Sequence, residues 1–333
     1  MKLELTSPFD MHLHLREDEM LANVAPYSSA HFAGAVIMPN LASPVDSLEK
    51  VIAYREQIVE LTDGDNFTPF MTLFFKNYTR EELKAAKDHI IGIKLYPAGI
   101  TTKSEKGVRD FSGTDATLRA MEELQIPLLI HGESNGFVMD REREFLPICQ
   151  SIAEKFPRLH IVLEHITTAD AVEFIDKYDN LSATVTLHHL LITLDDVAGG
   201  LLQPDLFCKP LAKTPRDRAA LRDAVFSAHP KLMFGSDSAP HPRSKKECCG
   251  CAAGVFSAPV ALPMLAELFE NEGKLELLQG FIADIACDRY QLAPQSKKII
   301  MEQKEWIVPE LYNDVKPFGA GRKLRWKVSE ITG

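Results

Sequence analysis

No run of apolar residues in this chain approaches the ~18 needed to cross a bilayer. The opening Met1-Lys2-Leu3-Glu4-Leu5 lacks the long apolar core of a secretory leader, so a cytoplasmic location and no membrane partner are expected. Positive charge is in deficit. Lys and Arg number 37 against 47 Asp and Glu, a net charge of -10, which argues against a nucleic-acid or anionic-membrane surface. It leaves small anionic substrates open, because they need only two or three well-placed cations. No glycine-rich phosphate turn follows the first apolar segment, which weakens a dinucleotide-binding reading. No internal repeat and no low-complexity linker divides the chain.

Cysteine is sparse and unpatterned. The six are Cys149, Cys208, Cys248, Cys249, Cys251 and Cys287, and a chain of this length does not need disulfides. Cys248-Cys249-Gly250-Cys251 has the look of a metal knuckle but has no second Cys/His pair at zinc-finger spacing. A small-residue loop near something important is the plainer reading.

What is present is regular. With 45% hydrophobic and 25% charged residues the composition is that of a globular protein. Near-continuous apolar runs begin at Phe9, Ala33, Phe67, Ile90, Ile126, His160, Leu181 and Lys231, and amphipathic stretches separate them. Eight such runs, each fit for a parallel strand covered on both faces, predict an α/β fold, a (β/α)8 TIM barrel. A doubly wound open sheet is the runner-up. We expect one barrel domain over 1–333, with strands within about 7–240, closing helices near 259–290 and a mixed, charged tail from 297. Two long connections stand out, 98–113 and 195–214, and the first reads as a lid.

The residues that carry chemistry fall at strand ends. His12 and His14 in Asp10-Met11-His12-Leu13-His14-Leu15-Arg16 share a strand face, since side chains repeat every two residues. Later runs supply Lys94, His131, His165 and Asp237, and in a barrel the C-terminal strand ends converge on one mouth. Any one of these alone is compatible with a packed or exposed histidine. Together they suit zinc bound by nitrogen and oxygen. Lys94 is anomalous, because an ammonium cannot be a ligand; a buried salt bridge is its ordinary explanation. His188-His189, at the end of the seventh run, reads as structural.

Asp10–Arg16, Met38-Pro39-Asn40, Lys94-Leu95-Tyr96-Pro97-Ala98, His131-Gly132-Glu133, Glu164-His165-Ile166-Thr167 and Ser236-Asp237-Ser238-Ala239-Pro240-His241 resemble, in order, the dihydroorotases of the amidohydrolase superfamily, most closely the stand-alone bacterial class. The resemblance runs from about residue 7 to about 290. It implies a metal-dependent barrel that reversibly hydrolyses (S)-dihydroorotate to N-carbamoyl-L-aspartate in pyrimidine biosynthesis. It implies two zinc ions per subunit, bridged by carboxylated Lys94 and a hydroxide. His12, His14 and Asp237 would hold one ion, His131 and His165 the other, with Asp237 also shuttling the proton. Arg16, Asn40 and His241 would bind the substrate carboxylate, with His14, His131 and backbone groups of Lys209 and Ala253 as further contacts. Lys209 departs from the apolar residue usual there, and Ala252-Ala253 leaves the register open by one. Thr101 and Thr102 would reach the substrate from the lid, and a homodimer is expected. A hydantoinase- or allantoinase-like cyclic amidase is the enzymatic alternative, and a metal-free scaffold on the same fold the non-enzymatic one.

Overall fold

The computed structural model describes residues 1–333. Strand β1 (Lys2–Thr6) stands apart from the barrel. The barrel strands are β2 (Phe9–Leu13), β3 (Gly34–Ile37), β4 (Thr68–Phe74), β5 (Gly92–Leu95), β6 (Leu128–Ile130), β7 (Ile161–Leu163), β8 (Leu181–Val185) and β9 (Leu232–Phe234). They lie side by side in sequence order and every pair is parallel. The ring closes just beyond β9: Asp237 N–H donates to His12 O (2.9 Å) and His14 N–H to Ser238 O (3.1 Å). The barrel seam therefore runs through three of the residues expected to bind metal.

Two apolar layers explain the continuous runs. Phe9, Met11, Val36, Leu129, Val162 and Met233 form a small cluster filling the barrel from strands all round it. Ile93, Leu95, Leu128, Ile130, Leu181 and Ala183 belong to the larger core between strands and helices. Each strand residue is buried on one side or the other, as parallel strands require. The helix Ile285–Tyr290 contributes Ala286 to the inner cluster.

Alternation along β2 is interrupted. Phe9 and Met11 fill the barrel, yet Leu13 joins the outer core. The β2–β3 register shifts between Asp10 and Leu13, which inserts an extra residue on β2. Such an irregularity flips the faces that follow it. Counting in twos from Phe9 would turn His12 and His14 outward; the shift turns both to the mouth.

One expectation about local structure fails. The seventh run does not extend to His189: β8 stops at Val185, and Thr186 caps a short helix, Leu187–Leu191, its side chain accepting from the His189 N–H. The mixed, charged tail forms strands. β10 (Lys298–Ile307) and β11 (Lys323–Thr332) join β1 in an antiparallel sheet of order β1-β10-β11. Ile299, Met301, Leu324 and Trp326 bury one face of it, and β11 packs on the helix Ala261–Asn271.

Burial also sets an acid limit on stability. His160, below β7, hydrogen-bonds Ser182 Oγ (2.6 Å), and burial pulls its pKa from 6.5 down to about 3. A histidine with a depressed folded pKa takes up its proton in the unfolded chain first, so stability falls as pH drops from 6.5 toward 3. Replacing His160 with Gln is expected to flatten that slope, read as unfolding free energy against pH in urea melts. An unchanged slope would assign the acid sensitivity to other groups.

Candidate metal centre and substrate cleft

The mouth of the barrel holds a cleft of about 340 Å³. His12, His14, His131, His165 and Asp237 all line it. Their ring nitrogens are not free to point anywhere. His12 Nδ1 lies 2.8 Å from Glu164 Oε2, which leaves Nε2 facing the cleft, 3.3 Å from His14 Nε2 and 3.5 Å from Asp237 Oδ1. His14 Nε2 is 3.1 Å from the same carboxylate oxygen. On the other side, His131 Nε2 is held by Glu133 Oε2 at 2.9 Å, so its Nδ1 faces His165 Nε2, 3.1 Å away. A carboxylate on the outer nitrogen fixes ring orientation and raises the basicity of the inner one, the usual support for a metal-ligating histidine. Glu133 and Glu164 each sit beside a histidine in sequence, in His-Gly-Glu and Glu-His. That adjacency was visible without coordinates, but no role was read from it.

Backbone strain marks the same positions. Asp237 (φ 43°), His165 (φ 42°) and Arg16 (φ 63°) are non-glycine residues in the left-handed region. Such conformations persist where the surroundings over-determine them. Asp10 does this for Asp237. Its buried carboxylate accepts from Ser236 N–H (2.7 Å), Ser236 Oγ–H (2.5 Å) and His12 N–H (3.1 Å). Glu142 does it for His165. From the helix Arg141–Lys155 it accepts Thr167 N–H (2.8 Å), Thr167 Oγ–H (2.7 Å), Thr168 N–H (2.9 Å) and Thr168 Oγ–H (2.5 Å). His165 N–H itself donates to Thr184 Oγ at 2.7 Å.

Lys94 does not form the buried salt bridge that would explain it away. It projects inside the barrel from β5, is 0% exposed, and its Nζ has no hydrogen-bond partner. Burial pulls its pKa down to about 8. An uncompensated ammonium in such a place is strongly disfavoured. A neutral amine that has taken up carbon dioxide becomes an anion able to bind two cations. The buried, unpartnered Nζ and the imidazole and carboxylate donors of the cleft thus fit a borderline divalent metal bound by nitrogen and oxygen.

The cleft wall is cationic and polar. Arg16 is 8% exposed, lines the cleft and forms no ion pair. Glu17, its neighbour, is engaged by Lys103 Nζ (2.9 Å) and Ala42 N–H (2.7 Å) instead. Arg16 is oriented by Pro240 O on Nε (3.1 Å), with His241 Nε2 3.1 Å from Nη2. His241 Nε2 also lies 3.0 Å from Ala253 O. It thus contacts two residues that line the cleft without being among the lining residues itself. Asn40, Lys209, Ala253, Thr101 and Thr102 do line the cleft. The lid is folded across it: Asn40 Nδ2 donates to Thr102 O (3.0 Å), and the Lys103–Glu17 pair ties the loop to the segment after β2. Cys248 and Cys249 are exposed and Cys251 half-buried; none lines the cleft, but the loop leads into Ala253 and Gly254, which do. Lys246 secures its base, donating to Phe207 O, Ala252 O and Gly254 O at 2.8–3.0 Å.

The amidohydrolase family model matches residues 9–248, the barrel and the Asp237 segment. Dihydroorotase from Helicobacter hepaticus is 47% identical, with 98% of each chain covered. The crystal structure of dihydroorotase from Campylobacter jejuni superposes with TM-score 0.94 at 52% identity, covering 99% of this chain and 98% of that one. Dihydroorotase from Saccharomyces cerevisiae, in complex with 5-fluoroorotic acid, gives 0.93 at 37% identity with 98% of both covered. The chain belongs to the amidohydrolase family, and within it to the dihydroorotases. Its reaction class is accordingly cyclic amide hydrolysis.

Glu142 offers a test of the support behind the histidines. In Glu142→Gln one acceptor becomes a donor facing Thr hydroxyl and amide donors. The His131/His165 side is expected to lose metal affinity by about 10–100-fold, the usual cost of removing an outer-shell partner. Chelator competition measures it, and unchanged metal retention would confine Glu142 to holding the helix.

Proposed function

We propose that this chain opens the ring of (S)-dihydroorotate to N-carbamoyl-L-aspartate, reversibly, as the dihydroorotase step of pyrimidine biosynthesis. The observation that carries the substrate assignment is Arg16. A guanidinium this buried, without a carboxylate from the protein, is matched by an anionic group on the ligand, and its planar fork suits a carboxylate. Hydantoin and allantoin lack a ring carboxylate in that place.

Each residue then has a task. Arg16 and His241, whose Nε2 lies 3.1 Å from the guanidinium, hold the substrate carboxylate. Asn40 adds an amide, its Oδ1 buried and without a partner in the protein. The Lys209 and Ala253 backbone groups bracket the ring. Thr101 and Thr102 reach it from the lid, whose closure excludes water and strengthens every charge inside. Lys94, as its carbamate, together with His12, His14, His131, His165 and Asp237, holds two zinc ions. When bound, zinc supplies a strongly acidified water and polarises the scissile carbonyl. Asp237 takes the proton from the attacking water and hands it to the departing amide nitrogen. Its carboxylate lines the cleft beside His12 and His14, which supports both transfers. A homodimer belongs to this reading, as does a cytoplasmic enzyme without nucleic-acid or membrane partners. The net charge of -10 and the lack of any helix long and apolar enough to cross a membrane support the latter.

An assay of dihydroorotate beside hydantoin and allantoin, before and after chelation, tests the assignment. Turnover of dihydroorotate alone, abolished by chelator and restored by zinc, is expected. Arg16→Lys should raise KM for dihydroorotate about 10- to 100-fold, the worth of a charged hydrogen bond, and equal activity on all three substrates would remove Arg16 from recognition.

The proton and the carbamate are tested separately. Asp237→Asn should bind substrate while kcat falls at least about 100-fold. Lys94→Ala should lose metal and activity together, with partial rescue by acetate. Full zinc content in unrescued Lys94→Ala would rule out the bridge.

A further inference from the structure

One residue before Lys209, outside the centre described above, a second group of metal-binding atoms meets. His188, His189 and Cys208 are 0%, 2% and 1% exposed, and their ligand atoms all lie within 4.8 Å of one another. Cys208 Sγ is 3.7 Å from His189 Nε2, and both face the carbonyl oxygen of Pro210, at 3.2 Å and 3.0 Å. Thr186 Oγ lies 2.9 Å from His189 Nδ1 and fixes that ring, so that Nε2 faces sulfur and carbonyl. His188 is the anomaly. Its ring centroid is 4.4 Å from that of His189, and neither of its nitrogens has any partner. A buried imidazole with both nitrogens unsatisfied is costly unless something is bound there.

Sulfur, two imidazoles and a carbonyl oxygen form a four-donor set. Tetrahedral zinc, with bonds of about 2.0–2.3 Å, has donor–donor edges of roughly 3.3–3.8 Å. The observed 3.7, 3.2 and 3.0 Å lie at or just under those edges. A thiolate among nitrogen donors selects zinc or a similarly thiophilic ion over magnesium or calcium.

We propose that Cys208, His189 and His188, with the Pro210 carbonyl, form a third cation site that takes zinc and braces the cleft wall. Binding replaces the thiol proton: the Cys208 S–H bond breaks, a sulfur–zinc bond forms and the proton leaves to solvent, with no change of oxidation state. Both imidazoles bind as neutral rings, His189 keeping its proton on Nδ1 toward Thr186. The cation links the helix Leu187–Leu191 to the 208–210 segment and so fixes Lys209, which lines the cleft. The Lys246 ammonium, held by three carbonyls, is a nearby positive charge that favours the Cys208 thiolate.

The proposed catalytic centre contains only nitrogen and oxygen donors, so sulfur is a private label for the third site. X-ray absorption at the zinc edge on the zinc-loaded full chain is expected to show sulfur scattering at about 2.3 Å. It should persist when Cys248, Cys249 and Cys251 are all changed to Ser. In Cys208→Ser it should vanish with the loss of one zinc equivalent. His188→Gln should keep the sulfur signal but release that equivalent at least tenfold more readily to a chelator. Sulfur scattering absent from the triple-serine protein, or unchanged in Cys208→Ser, overturns the proposal and leaves a thiol and an imidazole sharing one carbonyl. The triple-serine measurement stands even if Cys208→Ser fails to fold. Failure of the two-zinc centre would change the sulfur-to-zinc ratio, not the presence of sulfur.

Discussion

The structure depends on two backbone hydrogen bonds, from Asp237 to His12 and from His14 to Ser238. They close the barrel, and they join the strand that carries two imidazoles to the segment that carries the carboxylate. Asp10 reinforces the joint by gripping both sides, Ser236 and the His12 amide. Fold closure and site assembly are one event. A barrel whose ends did not meet would have His12, His14 and Asp237 on separate edges. The register shift in β2 belongs to the same joint, because it delivers both histidines to the mouth while Phe9 and Met11 fill the interior.

The site works against folding until it is filled. Four imidazoles, a lysine amine and a guanidinium are buried at the mouth of one barrel, and burial disfavours the charged form of His12, His14, His165, Lys94 and Arg16. Three residues there carry left-handed backbone. Glu133, Glu142, Glu164 and Asp10 offset this by supplying fixed acceptors to the ligands and to the segments that hold them. Each accepts from groups that would otherwise be unsatisfied, so the anions do not stand alone. The surrounding double core is the reservoir of stability that lets such a centre persist.

Much of this was legible in the sequence. Eight apolar runs and the chemistry at their ends gave the barrel and brought His12, His14, His131, His165 and Asp237 to one cleft. Lys94 was legible as an anomaly and the structure deepens it. What was not legible depended on long-range pairing. The alternation of Leu324, Trp326 and Val328 is a strand signal, but its partners lie far away in sequence, and the tail read only as mixed and charged. His188 and His189 continued an apolar run, yet Thr186, a good cap, starts a helix that turns them from the strand. His241 was singled out for the substrate carboxylate, and the coordinates add its neighbours, the Arg16 guanidinium and the Ala253 carbonyl.

The antiparallel sheet of β1, β10 and β11 has a bearing on how the molecule assembles. Pairing Leu5 with Ile299 closes a loop that contains the whole barrel. Closing so long a loop is entropically costly when the intervening chain is loose, though the cost grows only logarithmically with length. Once the barrel has condensed, both edges are already presented at its base and little remains to be ordered. The sheet is thus a clasp that fastens last, and native-state hydrogen exchange should find it among the first elements to open, ahead of the barrel strands.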